Sequence, residues 1–80
     1  MLDPQRIREW IAHELTCEHL EVGGDGRHFE ALIVSAAFAG LSRVARQQKV
    51  NAILKERFDS GELHALSMQT LTPEEWQARG

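Results

Sequence analysis

Four histidines and one cysteine are the residues of this chain best suited to metal or redox chemistry, and their spacing sorts them into two groups. His13, Cys17 and His19 lie close together. His13-Glu14-Leu15-Thr16-Cys17 nearly spells the two-histidine helix of zinc proteases, with cysteine where the second histidine would stand. That motif needs an intact helical turn, and the apolar pattern predicts a helix that ends near Thr16. A solvated helix end beside a small, part-buried Cys17 is the plainer reading. His28 and His64 make the second group. Imidazole nitrogen is a common transition-metal ligand, but a structural zinc site takes four protein ligands, so two histidines would need a partner's thiolates, or a cluster, to complete a site.

Other motifs point less far. Gly23-Gly24-Asp25-Gly26 is followed by Arg27-His28 and an apolar run, without the lysine and hydroxyl of a P-loop or the helix that follows a dinucleotide loop. It also spells the GxxG that clamps nucleic acid in KH domains, yet at a hairpin tip glycines are expected simply for positive φ. Ser35, Ser42, Ser60 and Ser67 lack a G-x-S-x-G elbow and the carboxylates are scattered, so no catalytic constellation emerges and no enzyme is expected. Arg43, Arg46 and Lys49 recur every three residues, with Lys55 and Arg57 beyond, and could share a helix face that reads DNA. No aromatic platform accompanies them.

The elements that must position these residues follow from periodicity. Asp3-Pro4 is a helix start, and Ile7, Trp10, Ile11 and Leu15 continue it as one apolar stripe. Residues 18–22 and 29–34 read as the strands of a hairpin around the glycine turn. Residues 41–58 return to helical period and close on Ser60-Gly61, as one long helix or a turn plus a long helix. Residues 63–71 alternate as a third strand, with His64, Leu66, Met68 and Thr70 on one side. Thr72-Pro73-Glu74-Glu75 is a capping box that starts a last helical turn and carries Trp76 back to the body.

The order α-β-β-α-β predicts an α+β domain, with a three-stranded mixed sheet covered by helices on one face. A helix joins strands two and three; if these are neighbours they run parallel, and His28 and His64, at their starts, fall on the same edge of the sheet.

Composition sets the outer bounds. Eighty residues allow one domain, here 1–80, and 42% hydrophobic with 26% charged residues is ordinary globular usage. The net charge of -3 disfavours general attraction to nucleic acid, so any such binding must be local. A single cysteine forms no internal disulfide and fits a reducing compartment, and no leader or membrane span is legible. A cytoplasmic protein is expected, monomeric alone, with no membrane contact and no small-molecule substrate.

Taken together, FEALIVSAAFAGLSRVARQQKV and GELHALSMQTLTPEEW resemble the BolA family, and the Gly24-Asp25-Gly26-Arg27-His28-Phe29 loop with Arg43-Val44-Ala45-Arg46-Gln47-Gln48-Lys49-Val50 is most similar to its bacterial IbaG branch. The resemblance covers nearly the whole chain. It implies a class II KH-like fold and a non-enzymatic regulator of iron-sulfur and iron homeostasis that pairs with a monothiol glutaredoxin. In that pairing the two proteins share a 2Fe-2S cluster, the glutaredoxin giving its cysteine and a glutathione thiolate. The BolA side gives the histidine before the third strand, which matches His64, and a loop residue that matches His28. No cofactor is implied for the isolated protein. The family also implies a DNA-binding transcriptional regulator of stress or morphology genes as an alternative, with Arg43, Arg46 and Lys49 as contacts. Many members carry a histidine after the helix arginine, where this chain has Gln47.

Overall fold

The computed structural model describes residues 1–79. Helix α1 spans Pro4–Glu14 and starts where Asp3 accepts the Gln5 N–H at 2.9 Å, with Pro4 in the first turn, where its missing N–H costs nothing. It ends as Leu15 turns extended, and its Ile7 and Ile11 are fully buried. Strands β1, His19–Gly24, and β2, His28–Val34, pair antiparallel from His19↔Val34 to Gly24↔Phe29. Each extends the sequence-predicted strand by one or two residues at the turn.

After β2 the chain is pinned by Ser35, which is fully buried; its hydroxyl donates to the Thr16 carbonyl at 2.7 Å and accepts the Ala37 N–H at 3.2 Å. A short 3₁₀ turn, Ala36–Phe38, inserts Phe38 into the core. The predicted long helix is two helices. Helix α2 spans Arg43–Ile53, capped by Ser42 on the Ala45 N–H, and α3 spans Lys55–Asp59. The break falls at Leu54, φ -99° and ψ 6°, which is wholly buried beside Val50. Neither glycine nor proline causes it; tertiary packing overrides helix propensity there.

Strand β3, Ala65–Leu71, lies parallel to β2 in the sheet order β1-β2-β3, as the crossover requires. It begins two residues later than the alternation predicts. Leu63 is 1% exposed and donates its N–H to the Arg57 carbonyl at 3.0 Å, so it belongs to the end of α3 and His64 falls outside the strand's alternation.

One face of the sheet carries the core: Leu20, Phe29, Ala31 and Ile33 join Ile7, Ile11, Phe38, Val50 and Leu54, with Leu66 and Met68 packed against them. Helix α4, Pro73–Arg79, extends the predicted last turn to seven residues and lies on the other face. Val34 alternates with Ile33 and so faces the far side, yet it is 0% exposed. Its register partner His19 carries the Trp76 ring stacked on it at 4.7 Å, so α4 covers that end of the far face.

Arg46 ties α2 and the segment before it to β3 and α4. Its Nε donates to the Leu41 carbonyl at 3.0 Å, Nη1 to the Thr70 carbonyl at 3.0 Å, and Nη1 and Nη2 to the two Glu75 carboxylate oxygens at 2.7 and 3.3 Å. Glu75 also closes the capping box, accepting the Thr72 N–H at 2.8 Å while Thr72 Oγ1 accepts the Glu75 N–H at 3.2 Å. The Arg46 hydrogen bonds, with the Thr72 N–H, hold the Glu75 carboxyl down at about 2. Because this folded-state value lies below that of an unfolded glutamate, the stabilisation is complete above pH of about 4.5 and is lost as pH falls from there towards about 2. Two outcomes are expected from urea unfolding. Glu75→Gln should lose less stability than the native chain between neutral pH and pH of about 3, and Arg46→Met should cost about 2 kcal/mol at neutral pH by orphaning buried acceptors. An unchanged unfolding midpoint for Arg46→Met would remove the tie.

Candidate metal centre at the sheet edge

The starts of β2 and β3 lie side by side because those strands are parallel and in register. His28 pairs with Ala65, and His64 is the residue just before it, so the two histidines occupy one end of the sheet. Each is set by its own turn. At the hairpin tip the Asp25 carboxylate accepts the Arg27 and His28 N–H groups, both at 2.9 Å, and the Asp25 N–H donates to the His28 carbonyl at 3.2 Å. This grip fixes His28 through its main chain and holds the Asp25 carboxyl below the usual range, the His28 N–H contributing most and the Arg27 N–H next. Gly24 adopts φ 153°, and a Cβ there would stand 2.5 Å from the His28 carbonyl oxygen, so this position requires glycine.

On the other side, Gly61 takes φ 82° after α3 and the buried Leu63 anchors the return, which delivers His64 to the surface. Both imidazoles are exposed. Among the described residues no group of three or more histidine, cysteine, aspartate or glutamate side chains could hold a metal ion. This end thus offers two nitrogen donors, half of a four-ligand set. Imidazole is a donor that can replace thiolate at one iron of a 2Fe-2S cluster, so this donor chemistry fits such a group.

The remaining candidates lie elsewhere. Helix α1 stops at Glu14, so His13 and Cys17 share no helical turn and the protease-like motif has no ligand geometry. Cys17 Sγ donates to the Leu15 carbonyl at 3.4 Å, and burial pushes its thiol up, which favours the protonated form over the metal-binding thiolate. His19 is engaged twice, stacked on Trp76 and hydrogen-bonded to Glu21, at the sheet end opposite His28.

The basic stripe needs correction. Arg43 and Lys49 are exposed on α2, but Arg46 is 8% exposed and its guanidinium is spent on Glu75 and main-chain carbonyls. Arg46 is therefore structural, and a nucleic acid meeting this helix would find Arg43 and Lys49 only. Lys55 is paired with Asp59 at 2.6 Å, and Arg57 lies 4.5 Å over the Trp10 ring. Sequence periodicity gave no sign of this, because an arginine at every third position looks the same whether it enters water or folds under the strand.

Comparison with known proteins agrees with this architecture. Residues 11–75 match the family described as BolA-like protein. The chain is 35% identical over 75 residues, 94% of this chain and 89% of the relative, to the acid stress protein IbaG of Escherichia coli K12. It is also 35% identical over 77 residues, 90% of this chain and 74% of the relative, to a protein of Haemophilus influenzae named DNA-binding transcriptional regulator BolA. A bolA protein homologue from Coxiella burnetii superposes with a TM-score of 0.85 at 33% identity, over 96% of this chain and 99% of that one. Matched in sequence along most of its length and in fold along nearly all of it, the chain belongs to the BolA family.

Proposed function

We propose that this BolA-family chain is a non-enzymatic regulator that binds a monothiol glutaredoxin and shares a 2Fe-2S cluster with it, His28 and His64 being its contribution. The observation that carries the proposal is the placement of two exposed histidines at the same end of neighbouring strands, with no group of three or more metal-ligating side chains among the described residues. An incomplete donor set calls for a second protein, and exposure leaves room for one. A cluster with imidazole ligands has a higher potential than an all-thiolate one. The chain's own part is to hold two imidazoles in place: the Asp25 grip orients the main chain at His28, and Leu63 anchors the segment before His64.

Mixing with a cluster-loaded monothiol glutaredoxin and recording visible circular dichroism tests this directly. The native chain should change the spectrum of the glutaredoxin homodimer to that of a mixed complex. His28→Ala with His64→Ala should abolish the change while altering folding stability by no more than about 0.5 kcal/mol, as expected for exposed side chains. A double variant that still gives the mixed spectrum would show that the ligands lie elsewhere.

A DNA-binding role for α2 is a second reading, favoured by the name of the Haemophilus relative and by the exposure of Arg43 and Lys49. Its mark is an association constant that falls with salt, and replacing both residues by alanine should flatten the log-log slope by about 2, roughly 0.9 for each phosphate left without its cation. Promoter fragments that are not retarded at low salt would remove the reading.

A further inference from the structure

The sheet has two outer edges, and they are treated differently. The β1 edge carries Glu21 and ends in Gly23-Gly24, and Arg8 Nε donates to the Leu20 carbonyl at 3.1 Å. These are the devices that blunt an edge strand against pairing. Strand β3 has none of them in its own sequence: Ala65–Leu71 holds no charge, no proline and no glycine over seven residues.

Its outward groups can be assigned from the bonds around it. The Leu71 carbonyl accepts the Ser35 N–H at 3.0 Å, on the β2 side, while the Thr70 carbonyl accepts from Arg46 on the other. Main-chain groups alternate along a strand, so Leu66 and Met68 turn their N–H and C=O outward with Thr70. Among the described residues, only Arg46 reaches this edge, and it reaches only Thr70. Beside the edge, α2 and β3 enclose a slot of about 180 Å³, lined by Arg43, Gln47, Met68, Gln69, Thr70 and Leu71. Arg43 is its single charged wall, and the nearby carboxylate of Glu75 is already paired with Arg46.

We propose that this edge takes an extended peptide segment of a partner protein as a fourth strand, with an acidic residue of that segment set against Arg43. A peptide fits better than the alternatives on chemical grounds. Met68 offers a donor and an acceptor together, which an extended main chain matches with its own N–H and C=O, whereas a DNA backbone supplies acceptors alone. A second copy of this chain paired through β3 would bring no carboxylate, because Ala65–Leu71 has none. The slot lies apart from the His28 and His64 imidazoles, so the proposal does not rest on the cluster assignment.

The probe is a phage-displayed library of random twelve-residue peptides, selected on the intact protein. Enriched sequences should alternate β-formers and share an aspartate or glutamate. A synthetic peptide of that sequence should shift the amide signals of Leu66, Met68 and Thr70 in nuclear magnetic resonance spectra and slow hydrogen exchange at Leu66 and Met68. Arg43→Glu should weaken it about tenfold, the loss of one charge-assisted pair, and N-methylation of alternate peptide residues should abolish binding. His28→Ala with His64→Ala should bind it unchanged, whatever happens to the cluster. The proposal is overturned if no peptide is enriched, if the shifts fall on another surface, or if Arg43→Glu binds equally well. It is also overturned if a twelve-residue oligothymidylate displaces the peptide from the same amides, which would give the slot to nucleic acid. Exchange protection of those amides in a concentration-dependent dimer of the free chain would give it to a second copy.

Discussion

The parallel ladder between β2 and β3 is the constraint on which the rest of the molecule depends. Parallel strands cannot be joined by a tight turn, so the chain must leave the end of β2, pass through α2 and α3, and return to the other end of the sheet. That single requirement places the hairpin tip and the α3 to β3 turn side by side. It also makes β3 an edge strand and lays α2 along it. The His28 and His64 end of the sheet and the slot under α2 are therefore two consequences of one topology, at different places along the β2–β3 ladder.

Arg46 shows how the ladder is secured. A guanidinium almost withdrawn from water is costly unless its donors are met, and here the carbonyls of Leu41 and Thr70 and the Glu75 carboxylate meet them. Because those acceptors belong to three segments, the same side chain fixes where α2 lies on β3 and where α4 leaves it. Helix α4 then lays Trp76 on His19 at the far side of the sheet, closing over Val34. Only one end of that face is covered; Glu21, Glu30, Ser67 and Gln69 remain exposed along the rest.

Much of this was legible in the sequence where the cause is local. The Asp3-Pro4 start, the glycine turn and the Thr72 to Glu75 capping box follow from side chains that bond to their own backbone, and all three are present. Strand order carried the inference that His28 and His64 share an end of the sheet, because a crossover leaves no other choice once the strands are neighbours. What escaped was set by packing at a distance. Leu54 breaks the helix to stay in the core, and Leu63 is claimed by α3 rather than by the strand. Arg46 turns inward to a carboxylate that lies beyond β3 in the chain. None of these has a signature at the spacing where sequence periodicity is read.

The central claim is that both imidazoles ligate a shared cluster, and pulsed electron paramagnetic resonance reads that bond itself. The heterodimer would be assembled with unlabelled glutaredoxin and with this chain carrying ¹⁵N-histidine, then reduced by one electron. Two strongly coupled ¹⁵N nuclei are predicted, both absent when His28 and His64 are alanine. A reduced cluster with no histidine coupling, or with couplings that persist in that double variant, would contradict the account.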